Sequence, residues 1–133
     1  MTALKTAVQV AGLSKPGAAF STAIVCTPGR FVFVSGLLAR GDDGAIVGKC
    51  DIAAQTRCIC ENLRRVLVAA GGTLDSVVRL DIHVTALDQR DSIYAVRREI
   101  FANEPRPTST MVQVSGFVDP DALIEITAIA VLP

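Results

Sequence analysis

Between residues 51 and 72 the sequence brackets one amphipathic helix, and the rest of the chain has to be arranged around it. Asp51 is a good N-cap and Gly71-Gly72 a good stop, with Ile52 to Ala70 between them. Ile52, Ile59, Leu63, Val66 and Ala70 recur at helical spacing on one stripe, while Arg57, Glu61, Arg64 and Arg65 fall on the opposite side. A helix patterned this way must cover an apolar surface. The segment that follows supplies one: from Val77 to Thr85 apolar and polar residues alternate, with Val78, Leu80, Ile82 and Val84 on one face and Arg79, Asp81, His83 and Thr85 on the other.

The remaining elements follow from the same reasoning. Val8 to Val10 opens as a weak strand, and Lys15-Pro16-Gly17 breaks it. Ala23 to Cys26 and Phe31 to Leu37 are two apolar runs joined by Thr27-Pro28-Gly29-Arg30, which reads as a β-hairpin because Pro presets φ and Gly tolerates a positive one. Asp91 to Phe101 is a second amphipathic helix with Ile93, Val96, Ile100 and Phe101 inward, and Pro105 and Pro107 bar its continuation. Thr110 to Val114 and Leu123 to Leu132 are two closing strands, joined by a turn around Asp119-Pro120-Asp121. The order β-β-β-α-β-α-β-β lays two helices on one face of a mixed six-stranded sheet, an α+β architecture. The other face is left without helices and has to meet another subunit. No linker or repeat divides the 133 residues, so one domain over residues 1–133 is expected.

Composition agrees with the uncovered face. Half of the residues are hydrophobic and the mean hydropathy is +0.45, high for a small domain with much surface, which places part of the apolar excess in an interface. Thirteen Lys and Arg offset thirteen Asp and Glu, with no Trp and a single Tyr; this argues against a nucleic-acid or membrane-surface partner. The longest apolar run is shorter than the ~20 residues that span a bilayer. Met1-Thr2-Ala3-Leu4-Lys5-Thr6 lacks the regions of a signal peptide. The expectation is a cytoplasmic protein whose cysteines (Cys26, Cys50, Cys58, Cys60) are reduced.

Generic chemical motifs are few. Cys58 and Cys60 lie two apart on a helix and point ~200° apart, so they cannot chelate one ion. A tetrahedral zinc site needs four ligands and nothing in the pattern supplies them; no metal or cofactor is expected. His83 and Asp81 are strand-face neighbours pointing in parallel, a pattern more typical of an interface than of an acid–base pair. Val34-Ser35-Gly36 lacks the first glycine and the strand-to-helix turn of a nucleophile elbow.

Five segments in fixed order carry a specific resemblance. Phe31-Val32-Phe33-Val34-Ser35-Gly36 is one; Asp51-Ile52-Ala53-Ala54-Gln55-Thr56-Arg57, followed by Glu61-Asn62-Leu63, is the second. Ala69-Ala70-Gly71-Gly72-Thr73-Leu74-Asp75-Ser76-Val77-Val78, Val112-Gln113-Val114 and Ile124-Glu125-Ile126-Thr127-Ala128-Ile129-Ala130 complete the set. In that order, from about residue 16 to the end, they resemble the RidA/YjgF family of small enamine and imine deaminases. The resemblance implies a chorismate-mutase-like fold, a barrel-like homotrimer and clefts between subunits that take a small molecule. It further implies hydrolysis of 2-aminoacrylate-type enamines and imines to the 2-keto acid and ammonia, or, in a related branch, of 2-aminomuconate.

Carried over position by position, the family's site is incomplete here. The Ser-Gly pair is present as Ser35 and Gly36, and the acidic residue of the last strand as Glu125. The resemblance therefore makes Glu125 and Ser35 the catalytic candidates. The family's Pro-Ala-Arg-Ser or Pro-Thr-Arg-Thr strand reads Pro107-Thr108-Ser109-Thr110, so Ser109 stands where the substrate-holding arginine belongs. Met111, Phe20 and Tyr94 replace a small or sulfur residue, a tyrosine and an asparagine. Losing a charge-assisted contact costs ~1.5–3 kcal/mol per bond. Arg106, just before Pro107, is the candidate to restore the charge. The substrate-binding candidates are thus Phe20, Gly36, Tyr94, Arg106, Ser109 and Met111. Two functions fit: a deaminase-like hydrolase acting on an atypical, larger or less anionic imine, or a non-catalytic trimer that binds a small molecule or a partner protein. Ribonuclease activity, also attached to the family, fits poorly with a neutral chain.

Overall fold

The computed structural model of the protein describes residues 5–13 and 19–133. The chain forms β1 (Lys5–Ala7), β2 (Ile24–Cys26), β3 (Arg30–Leu37), α1 (Ile52–Ala69), a 3-10 turn (Leu74–Ser76), β4 (Val77–Val84), α2 (Arg90–Ile100), β5 (Thr108–Gln113) and β6 (Ile124–Leu132). The expected α+β element order is present. The six strands are divided, however, between a two-stranded ribbon, β1-β2, and a four-stranded mixed sheet in the order β3-β6-β4-β5. β6 lies antiparallel between β3 and β4, and β5 runs parallel to β4 with α2 as the crossover.

Helix α1 forms for the reasons its sequence suggests. The Asp51 Oδ1 accepts from the Ala54 N–H at 3.0 Å. At the other end Gly71 takes φ +94°, the Gly71 N–H donates to the Val68 carbonyl at 3.0 Å and the Gly72 N–H to the Leu67 carbonyl at 2.8 Å, a Schellman stop. The buried face is Ile52, Gln55, Thr56, Ile59, Cys60, Leu63 and Leu67. Val66, expected inward, is 38% exposed, because the stripe continues from Leu63 through Leu67 and turns Val66 outward. Ile59, Leu63 and Leu67 pack with Leu80, Ile82 and Val84 of β4, Ile93 of α2 and Ile124 and Ile126 of β6. Each such side chain contributes roughly 1.5–3 kcal/mol by leaving water.

Three expectations need correction. The opening strand is Lys5–Ala7, not Val8 to Val10; Val10 instead enters a turn that Gly12 closes at φ +80°. The Ile24–Cys26 and Arg30–Leu37 strands are not a hairpin: β2 pairs with β1 and β3 pairs with β6. The physical reason lies at Gly29, where an added Cβ would sit 1.9 Å from the Leu132 carbonyl oxygen; the chain there packs against the end of β6 and begins pairing with it at Arg30 instead of folding back on β2. Finally, α2 buries Arg97 as well as Ile93 and Val96. The expected break at Lys15-Pro16-Gly17 lies outside the described residues.

Both helices cover the same sheet face. The opposite face presents Phe31 and Phe33, 63% and 75% exposed, with ring centroids 6.0 Å apart. Arg79 lies on that face too, donating through Nε and Nη2 to both Asp81 carboxylate oxygens at 3.0 and 2.8 Å.

Candidate functional site

Central strand β6 carries Glu125 directly across from His83 on β4. On its other side β3 slips register between Val34 and Leu37, and Gly36 lies in that irregularity. A Cβ at Gly36 would meet Glu125 Cδ at 2.6 Å and each carboxylate oxygen at 2.9 Å. The missing side chain is what leaves room for the carboxylate beside an edge strand. His83 Nδ1 is buried without a hydrogen-bond partner and stands 4.0 Å from Glu125 Oε1, beyond hydrogen-bonding distance. Ser35, next to Gly36, is exposed.

Glu125 and Gly36 open on a cleft of about 650 Å³, whose walls include Leu37, Arg40, Asn62 and Arg65. Two of these come from α1. Asn62 donates from Nδ2 to the Arg40 carbonyl at 2.9 Å and so ties the chain after β3 to the helix. The Arg40 guanidinium is held by the Gly44 carbonyl at 2.7 Å and by Asp119 at 3.2 Å. Arg65 donates to the exposed Asp42 carboxylate at 3.4 Å and lies near enough to Glu61 to stabilise its charge. The position of Glu125 itself depends on Gln55, which is fully buried on α1. Its Nε2 donates to the Gly48 and Asp121 carbonyls at 3.2 and 3.0 Å, and its Oε1 accepts from the Leu123 N–H at 2.9 Å, two residues before Glu125.

The other candidates gather elsewhere. Ser109 is in register with Leu80 and Met111 with Ile82, and Met111 packs on the core, so these two share the helix-covered side of β5. Phe20 precedes Ser21, whose N–H donates to the Pro107 carbonyl at 3.0 Å and whose hydroxyl donates to the Arg106 carbonyl at 2.5 Å. Tyr94 lies on α2 with the Arg97 guanidinium carbon 5.8 Å from its ring centroid. Arg106 folds back on the end of α2: its Nε donates to the Phe101 carbonyl at 2.8 Å, and Nη1 pairs with Glu104. Its guanidinium is therefore engaged away from Ser109. Within one chain, Ser35, Gly36 and Glu125 sit at the β3 side of the sheet, and Phe20, Tyr94, Arg106, Ser109 and Met111 at the β5 side. Three strand spacings, about 14 Å, separate the edge strands.

Arg40, Asn62 and Arg65 were not singled out by sequence. Arg65 reads as an ordinary solvent-face residue of α1, and no sequence signal separates it from Arg57, Glu61 and Arg64 on the same side. Arg97 was also missed. It is fully buried, its Nη2 reaches the Ala19 carbonyl at 3.4 Å, and its Nε and Nη1 have no hydrogen-bond partner among the described residues. Burial pushes its pKa down, partly offset by nearby Cys60 and Tyr94. Burial likewise pushes the Cys60 thiol up to about 12, so it is protonated and unreactive at neutral pH. The four cysteines are free, and among the described residues no group of three His, Cys, Asp or Glu side chains is placed to hold a metal. No helix among the described residues is long and apolar enough to cross a membrane.

Comparison with known proteins adds a second line. The family model described as Endoribonuclease L-PSP matches residues 11–132. The 3-aminoacrylate deaminase RutC of Acinetobacter baylyi is 40% identical over 101 residues, 76% of this chain and 79% of the relative. A crystal structure of a protein of unknown function of the conserved Rid protein family, YyfB from Yersinia pestis, superposes with TM-score 0.89 at 29% identity, covering 96% of this chain and 98% of that one. Rv2704 of Mycobacterium tuberculosis, a member of the YjgF/YER057c/UK114 family, gives TM-score 0.68 at 32% identity over 97% of this chain and all of its own.

Proposed function

The chain belongs to the RidA/YjgF family, and on that premise we propose that it is a deaminase-like hydrolase of reactive imines, working in an altered cleft with Glu125 as its acid–base group. The observation that carries this reading is the Glu125 carboxylate, given room by Gly36 at the mouth of a 650 Å³ cleft and paired with no lysine or arginine among the described residues. A carboxylate neutralised by a cation would be a poor base; this one is left to act on water. In the proposed reaction an enamine first gains a proton at carbon and loses one from nitrogen to water, becoming the imine. Water then adds to the C=N carbon while Glu125 accepts its proton. That proton passes to nitrogen and gives the carbinolamine; Glu125 then takes the hydroxyl proton and delivers it to nitrogen as the C–N bond breaks, releasing ammonia and the carbonyl product. Ser35, exposed beside Gly36, is placed to hydrogen-bond the added water or the nitrogen rather than to act as a nucleophile.

The assembly we propose is the homotrimer. The exposed Phe31–Phe33 face supports it, and so does the separation of the candidate residues into two groups, which a cleft between copies would bring together. The ribonuclease description attached to the family gains no support from a composition of zero net charge.

The test is ammonia release from imines generated in solution by an amino-acid oxidase. Wild type should accelerate release, and Glu125→Gln should lose about 10²-fold or more of that acceleration. Equal, background-level release by both proteins would exclude this reading and leave the non-catalytic binding trimer. That alternative has one observation in its favour: Arg106 is engaged at the end of α2, so nothing at Ser109 replaces the family's arginine.

A further inference from the structure

His83 is the single histidine of the chain, and its neighbour along the strand is not its partner. Both carboxylate oxygens of Asp81 accept from Arg79, at 3.0 and 2.8 Å. Across the sheet, the register sets two other residues beside His83: Val112 on β5, which has no polar side-chain atom, and Glu125 on β6. Leu80, Ile82 and Val84 belong to the helix-covered face of β4, so His83 stands on the open face, and a residue directly opposite it points the same way. The side chains of His83 and Glu125 are 33% and 30% exposed. The Nδ1 atom itself is buried and has no hydrogen-bond partner among the described residues, with Glu125 Oε1 at 4.0 Å.

A buried ring nitrogen without a partner is unfavourable in either tautomer, as an unpaired donor or as an unpaired acceptor. What lies nearby can relieve one of the two. An ionised carboxylate accepts and cannot donate, so the proton has to sit on Nδ1. The carboxylate is free to come to it: no lysine or arginine among the described residues pairs with Glu125, and Gly36 presents no side chain on its other flank. A turn of the carboxylate by about 1 Å closes the gap to hydrogen-bonding range. A neutral N–H donor orders a carboxylate without cancelling its charge, which a guanidinium or ammonium would do, so the base keeps its strength. Resting on the reading of Glu125 as the acid–base group, we propose that His83 is its positioning residue: the Nδ1–H donates to Oε1 and leaves Oε2 to take the proton of the attacking water.

A single histidine makes the test direct, because nitrogen NMR of its ring shows which atom carries the proton. At about pH 9, where imidazole is neutral, wild type should carry the proton on Nδ1. Glu125→Ala should return it mainly to Nε2. A proton on Nε2 in wild type would overturn the proposal, and so would one that stays on Nδ1 in Glu125→Ala. Kinetics then test the positioning itself. His83→Phe keeps a ring and removes the N–H; it should lower kcat for ammonia release about tenfold, the worth of one charge-assisted hydrogen bond, with KM little changed. His83→Asn, whose amide donates from near the place of Nδ1, should regain part of that loss, which a merely structural role would not produce. The two readings fail separately. Glu125-dependent release that His83→Phe leaves unchanged removes the positioning role alone. A Glu125-dependent Nδ1–H without Glu125-dependent release leaves the pair standing and removes the catalysis.

Discussion

Arg97 is the residue whose chemistry fits its surroundings least well. A guanidinium with five N–H donors is taken wholly out of water and given one carbonyl at 3.4 Å and the face of Tyr94. Desolvating a charge costs several kcal/mol, and these contacts offset little of it. Arg97→Met keeps the length of the side chain and removes the charge; it should raise the unfolding free energy by about 1–4 kcal/mol, read by urea denaturation. A loss of stability instead would mean that the cation holds the Ala19 segment against α2 more firmly than its contacts suggest. Nothing local in the sequence marked this position, because an arginine on an amphipathic helix is ordinarily solvated and the residues that bury it come from far along the chain. Glu125 and Gly36 were legible for a different reason: their neighbouring residues form short segments whose order is specific. That the glycine leaves room for the carboxylate is a fact of contact between β3 and β6, and no single segment contains it.

Among the elements, those with one-dimensional signals were readable and those defined by partners were not. α1 could be placed to within a residue because its cap, its stripe and its stop are written contiguously. The hairpin expected across Thr27-Pro28-Gly29-Arg30 failed because turn chemistry says a chain can reverse, not which strand it then meets. β3 meets β6, about a hundred residues on. Gln55 shows how the elements are locked together: one amide on α1 closes three hydrogen bonds, to Gly48, Asp121 and Leu123. Gln55→Leu fills similar volume but leaves three backbone groups unpaired. It should cost about 2–4 kcal/mol in chemical denaturation and lower the proposed Glu125-dependent ammonia release in the protein that remains folded, since Leu123, two residues before Glu125, loses its amide partner. A variant as stable and active as wild type would show that water replaces the amide without loss.

For the whole molecule the decisive feature is that one sheet face is covered by two helices and the other by neither. The apolar excess in the composition pointed to this, and Phe31 and Phe33 show where part of it lies. The proposed homotrimer should give about 42 kDa by light scattering behind size exclusion, three chains of 14.0 kDa. Phe33→Asp places a charge on the exposed aromatic pair of that face and should shift the mass toward 14.0 kDa with the circular dichroism largely retained. An unchanged mass would locate the interface elsewhere. The strand order has a consequence in time as well. β6 is central in the sheet yet comes last in the sequence of strands, with β3 hydrogen-bonded to it on one side and β4 on the other. On the ribosome, β3 emerges long before its partner exists, and the β4–α2–β5 unit can close without it. The two halves of the sheet can join only once residues 124–132 have left the exit tunnel, so the sheet is completed by a long-range closure and not by the local contacts that form α1 or α2.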